Sequence, residues 1–182
     1  MKLLALALAA APTAATPLAV LPPPLAAPAP VLTHYYPADA NAAAQVEGAV
    51  AEARAGGRRA VLVFGADWCS DSTALAAILK SDLWQAHFGK RYSLTFIDVN
   101  RPTRGQGRNQ DVIARFGIDK MTGTPELLVI GQDGKPLNTA QDAHSWRDAG
   151  DRPVSAVFKW FFKLDKAGTE AAAVTPAAPI KP

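Results

Sequence analysis

The sequence predicts an α/β fold, with a mixed central sheet flanked by helices on both faces. Three observations carry this expectation. Helical and strand-like apolar patterns alternate through the middle of the chain, a strand, turn and strand signature follows, and an amphipathic stretch closes the ordered part. Alternating helices and strands favour parallel pairing with both faces covered, and a late hairpin adds an antiparallel partner.

The first element is N-A-A-A-Q-V-E-G-A-V-A-E-A-R-A, rich in strong helix formers, with Asp39 as the expected N-cap and Gly56-Gly57 as the stop. A-V-L-V-F-G at 60–65 is a short continuous apolar run with β-branched members, which suits a strand buried on both faces. From Ser72 the pattern turns helical, with Leu75, Ile78 and Leu79 at spacings of three and four. Ser81-Asp82 starts a second helix or a kinked continuation that packs Leu83, Trp84 and Phe88. Y-S-L-T-F-I-D-V at 92–99 is the next strand, and Q-D-V-I-A-R-F-G a short helix closed by Gly117. E-L-L-V-I-G, Q-D-G-K and P-L-N-T-A give the hairpin signature. A terminal helix follows, with Val157, Phe158, Phe161, Phe162 and Leu164 mostly on one side; Phe158, Trp160, Phe161 and Phe162 are expected to serve as its core and rim.

Both ends of the chain differ in composition from this middle. The folded part is expected at 39–166, a single domain of about 130 residues. Lys2, the apolar run Leu3 to Ala11 and the Ala/Pro-rich stretch behind it have the order of a secretory signal peptide over 1–27, with cleavage near Ala15 or Ala27. A membrane anchor is the rival, but Pro12 and Pro17 interrupt the stretch before the roughly 20 residues that span a bilayer. Residues 28–38 are expected to form a linker, and 167–182, proline-interrupted and without aromatics, a disordered tail. Export implies a periplasmic or otherwise exported protein, in a compartment where disulfides persist. The net charge of +3 falls by one if Lys2 leaves, and basic residues are not clustered on one helix, so no nucleic-acid partner is indicated.

Chemistry is expected at D-W-C-S-D-S, residues 67–72, directly behind the first strand. Cys69 is the only cysteine in the chain. Trp68-Cys69 at a strand-to-helix turn, Gly123-Thr124-Pro125 before the hairpin, and the order of elements over about residues 40–165 resemble the thioredoxin family. The resemblance implies a thioredoxin-like sheet, a cis-proline at Pro125 facing Cys69, and thiol-disulfide exchange. In that family a first cysteine attacks a disulfide, a second resolves the mixed disulfide, and a buried acid in the preceding strand helps deprotonate the second. Here Ser72 stands at the second cysteine and Val63 at the acid. A monothiol Trp-Cys-x-x-Ser site cannot store two electrons internally, so it must hand its mixed disulfide to an outside thiol.

The thiolate is the reactive form of cysteine. A place in the first turn of a helix favours an anion at Cys69, and the Ser72 hydroxyl can donate to the sulfur. Asp67 and Asp71 work in the opposite sense, since a nearby negative charge disfavours a second one. The alternative is an inert, buried cysteine. By resemblance, Trp68 forms a wall of the site and Thr124 offers a backbone edge to an extended peptide or a glutathione backbone; ordinary packing is the alternative for Trp68. N-R-P-T-R-G-Q-G-R-N at 100–109 follows a parallel strand, where ligands bind in open α/β sheets, so Arg101, Arg104 and Arg108 are candidates for a carboxylate, or else a solvated insertion. His34, His87 and His144 have no metal-ligand spacing, and no metal is expected.

Two functions remain. One is a thiol-disulfide exchange protein of the cell envelope, forming mixed disulfides through Cys69 with protein thiols or with glutathione as co-substrate, and without a resident cofactor. The other is a redox-inactive binding or chaperone-like module using the Trp68 and Thr124-Pro125 groove.

Overall fold

A computed structural model of the chain describes residues 33–174. The expected leader, most of the expected linker's first half and the end of the expected tail lie outside the described residues. Helix α1 spans Ala42–Ala55, strand β1 Arg59–Gly65, helix α2 Ser70–Lys80, helix α3 Asp82–Phe88 and strand β2 Tyr92–Asp98. Two-residue strands β3 (Asn100–Arg101) and β4 (Gln106–Gly107) enclose a 3-10 turn at Pro102–Arg104. Then come α4 (Gln110–Ala114), β5 (Glu126–Ile130), α5 (Ala140–His144), a 3-10 segment at Ser145–Asp151 and α6 (Val154–Val174).

β1 is the central strand, parallel to β2 and antiparallel to β5. Its continuous apolar run is explained by cover on both sides. Val61 and Val63 pack with Leu75 and Leu79 of α2, Trp84 and Phe88 of α3, and Val157 and Phe161 of α6. Leu62 and Phe64 point the other way, onto Val46, Ala49 and Ala53 of α1 and Val112 and Ile113 of α4. Removing each of these large side chains from water contributes about 1.5 to 3 kcal/mol, opposed by the entropy of ordering it. The sheet is therefore mixed and flanked by helices, as the alternation indicates.

The directions of the strands gather the chemistry at one end. β1 ends at Gly65 beside Asp98, the end of β2, while the antiparallel β5 begins there, with Glu126 opposite Phe64. The segments 66–69, 99–101 and 122–125 consequently meet at the same edge of the sheet.

Several expected boundaries shift. α1 is capped by Asn41 rather than Asp39, because the Asn41 side chain accepts the Ala44 N–H at 3.1 Å. α2 begins at Ser70 rather than Ser72, since the Cys69 carbonyl already accepts the Thr73 N–H at 3.0 Å. The expected hairpin is reduced to a single bridge between Ile130 and Pro136. Pro136 has no N–H to donate, and the Asn138 side chain takes over the strand's role: it accepts from Val129 N at 2.8 Å and donates to Leu127 O at 2.9 Å. Residues 140–151, not assigned to a helix from sequence beyond the hairpin's end, form α5 and the 3-10 segment, the former closed by a Thr139/Asp142 capping box.

Two expected limits of the folded part shift outward. Tyr36, in the expected linker, is 3% exposed, and its ring lies so close to Gly65 that a Cβ there would come within 2.7 Å of it. At the other end α6 runs to Val174, past the expected limit at residue 166. Alanine, which recurs in A-G-T-E-A-A-A-V, is the strongest helix former.

Candidate active site around Cys69

Cys69 is the N-cap of α2, in the extended region at φ −94° and ψ 119°, without a side-chain cap of its own. Its amide donates to Ala66 O at 3.1 Å, closing the turn that follows β1. The sulfur sits just ahead of the free N–H groups of the helix, a position that favours an anion. It is 9% exposed, and the thiol donates to the carbonyl of Thr124, with Sγ 3.5 Å from the oxygen. The Thr124-Pro125 peptide bond is cis, and Thr124 is itself buried. The structure thus brings Cys69, Thr124 and Pro125 together across the end of the sheet.

Trp68 is half exposed and held by a hydrogen bond from its Nε1 to Asn100 O at 3.0 Å. The Arg101 guanidinium lies over the indole ring, 4.3 Å from its centroid. Such a stack in a partly exposed place is worth about 0.5 to 1 kcal/mol and leaves the outer face of the guanidinium free for an anion. Trp68 and Arg101 are therefore stacked on each other next to the residue that carries the sulfur. Arg104 is exposed in the 3-10 turn beyond it. Arg108 belongs to a different structure, pairing with Asp98 at 3.1 Å and donating to Ala38 O at 2.6 Å.

Residues 100–109 are thus a small anchored ladder rather than a loose insertion. Asp98 is the anchor: its carboxylate accepts from Asn100 N at 3.1 Å, and its carbonyl accepts from Asn109 Nδ2 at 2.7 Å. Asn100 and Asn109 take positive φ, at 50° and 57°, a conformation asparagine tolerates better than most residues. Burial pushes the Asp98 carboxyl above the ordinary carboxylate range, against the pull of Arg108 and the Asn100 N–H.

Both aspartates beside the cysteine are held by hydrogen bonds to distant segments. Asp67 turns back to the segment before α1, accepting from Tyr35 N at 2.9 Å and Tyr36 N at 3.4 Å, with His34 Nδ1 at 3.3 Å. Asp71 turns toward the 3-10 segment and accepts the Gly150 N–H at 2.8 Å. Both carboxylates are tethers. Ser72 is fully buried, and its Oγ makes no hydrogen bond, to Cys69 or to any other described group. Its carbonyl accepts from the Tyr36 hydroxyl at 3.0 Å, and burial pushes that phenol well above its ordinary value.

Sequence reasoning missed a charged cluster behind the Thr124-Pro125 turn. Glu126 is fully buried at the start of β5 and takes the Arg147 guanidinium and the His144 ring on its carboxylate. Arg147 also donates to Thr122 Oγ1 at 2.8 Å, and its stem passes so close to Gly123 that a Cβ there would meet Cδ at 2.7 Å. One guanidinium therefore spans the turn from residue 122 to 126. The single sequence signal was a glutamate opening an apolar strand. No cluster of three or more potential metal-ligating side chains occurs among the described residues.

No protein-family model matches the chain, and no curated protein matches it. Among solved structures, it is similar to a disulphide isomerase from Xylella fastidiosa Temecula1, at 28% identity and a TM-score of 0.65, over 74% of this chain and 98% of that one. It also matches an HIV epitope-scaffold (21% identity, 64% of this chain and 86% of that one) and a protein of unknown function from Pseudomonas aeruginosa (20%, 64% and 85%), each at a TM-score of 0.32, too low to carry an argument. The likeness to the isomerase and the mixed, helix-flanked sheet agree: the fold is thioredoxin-like.

Proposed function

We propose that the protein is an exported thiol-disulfide exchange protein that works through Cys69 alone. The observation that carries this is the sulfur at the N-cap of α2, facing the Thr124 carbonyl at 3.5 Å across a cis Thr124-Pro125 bond. The likeness to a disulphide isomerase supports the same class of chemistry.

The exchange takes two steps. The Cys69 thiolate attacks one sulfur of a client or glutathione disulfide, forming a Cys69 mixed disulfide and expelling the other sulfur as a thiolate. An outside thiolate then attacks the client sulfur of that mixed disulfide, restoring the Cys69 thiolate and leaving a new disulfide. Electrons balance without a cofactor. With Ser72 in place of a second cysteine, the second step has no internal nucleophile. Trp68 with its stacked Arg101 lies where it would meet the client, the cation suiting a carboxylate such as glutathione's, with exposed Arg104 further out.

The test is mass spectrometry after incubation with oxidised glutathione, alongside the rate of alkylation by iodoacetamide over a pH series. One glutathione per chain, lost in Cys69→Ser and removed by added free thiol, is the expected result. No adduct at any pH at which the protein is folded overturns the reading.

One observation favours a second reading. Cys69 is largely buried, with its sulfur 3.5 Å from the Thr124 carbonyl, a placement that suits a module binding extended segments without redox turnover. In that case client binding is lost in Trp68→Ala and kept in Cys69→Ser.

A further inference from the structure

We propose that the surface formed by α3 and α6 docks the protein peripherally on an anionic lipid surface. The large apolar side chains that remain well exposed among the described residues are Trp68, Leu83, Leu137, Val154 and Phe162. Three of these five lie on α3 and α6: Leu83 is 57% exposed, Val154 50% and Phe162 47%. Trp68 has its place beside Cys69, so the α3/α6 group is the main apolar exposure away from that site.

The group is contiguous. Val154, Phe158 and Phe162 recur every fourth residue, which puts them along one face of α6. The His87 ring joins the helices, lying 5.6 Å from Phe158 and 6.4 Å from Phe162, and its Nδ1 is 2.9 Å from the carbonyl of Leu83. Phe162 also packs on Phe88, at 4.9 Å.

Lys159, Lys163 and Lys166 are all exposed and line an open depression around Phe162. Arg91 lies beside Phe88, 5.4 Å from its ring, and is paired with Asp165 at 2.9 Å, so the positive rim rests on the three lysines. Asp165 pairs with Arg59 at 3.1 Å and Arg91 at 2.9 Å and accepts from the Tyr92 hydroxyl at 2.7 Å, and Asp82 stands at the start of α3.

Exposed phenylalanine and leucine rimmed by lysines is the composition of a surface that lies at a lipid headgroup boundary. The apolar tips enter, and the lysine stems let the ammonium groups reach the phosphates. Protein interfaces are instead depleted in lysine. No helix among the described residues is long and apolar enough to cross a membrane, so the contact is one of lying on the surface.

The experiment uses the full chain with vesicles of phosphatidylcholine alone or containing phosphatidylglycerol, read by amine labelling of individual lysines and mass spectrometry. Phosphatidylglycerol vesicles should slow labelling of Lys159, Lys163 and Lys166 several-fold and leave Lys80, Lys120 and Lys135 unchanged. Molar salt should abolish the effect. Phe162→Ser, and the double variant Lys159→Glu with Lys163→Glu, should each weaken it, the latter by about tenfold or more. Equal protection by neutral vesicles, protection elsewhere on the chain, or none at all overturns the proposal. So does protection of the same lysines by raised protein concentration without vesicles, which would assign the surface to a second copy. Circular dichroism of the variants separates loss of docking from loss of fold.

Discussion

Asp71 accepts the Gly150 N–H at 2.8 Å, so the first turn of the cysteine's helix is tied to the same 3-10 segment that carries Arg147. Arg147 in turn grips Thr122 and Glu126 on either side of the Thr124-Pro125 turn. One short segment therefore fastens both sides of the site.

Removing the guanidinium should show what it holds. Arg147→Met leaves a fully buried carboxylate without its main partner and should cost about 3 kcal/mol, seen as a lower urea midpoint. Adding Glu126→Gln to that variant should recover a large part of the loss, because the uncompensated charge is gone. A single variant as stable as wild type would mean that the pair does not form in solution.

At Asp71 the charge and the tether can be separated. Asp71→Asn keeps the acceptor for Gly150 and should change the Cys69 alkylation rate by no more than about twofold, since the carboxylate is already committed elsewhere. Asp71→Ala should cost about 1 kcal/mol of stability. A large acceleration in the asparagine variant would show that this carboxylate mutes the sulfur.

Ser72 offers an inexpensive substitution. Its hydroxyl is buried and unpartnered, so Ser72→Ala should leave stability unchanged or raise it by about 1 kcal/mol, measured by thermal melting. Ser72→Cys should convert the protein into a dithiol that reduces insulin far faster than wild type. No gain, with the fold intact, would argue that the two positions are not arranged for exchange.

The Asp98 carboxyl gives a pH test whose sign is fixed. Because burial raises its folded pKa, the native state holds the proton more firmly than the unfolded chain. Its contribution to stability is therefore greatest below the unfolded value of about 3.9 and declines as pH rises through the folded value. Relative to Asp98→Asn, wild type should lose stability from about pH 4 upward, measured by urea denaturation at each pH. A relative gain over that range would contradict the assignment.

Much of this was legible in the sequence. The period change at residues 60–65 and 92–98, the Trp68-Cys69 turn and the Gly123-Thr124-Pro125 motif located the sheet and both sides of the site, because apolar periodicity and special backbone positions are local signals. The orientation of Asp67 and Asp71 was not legible. It depends on Tyr35 and Gly150, which lie 32 and 79 positions away in the chain. The Arg147 and Glu126 pair was hidden for the same reason. Asn138 defeated the hairpin expectation by offering a side-chain amide where the periodicity suggested a strand.

That amide also decides how the sheet ends. Among the described strands β5 has β1 on one side only, and an edge strand ordinarily presents open N–H and C=O groups that another chain can extend. Asn138 occupies Val129 N and Leu127 O, and the Leu137 N–H occupies Val129 O at 2.7 Å. The rim of the sheet is sealed from within by two consecutive residues, and a foreign strand arriving there finds its hydrogen bonds already taken. Self-assembly through this border is thereby discouraged without recourse to charge.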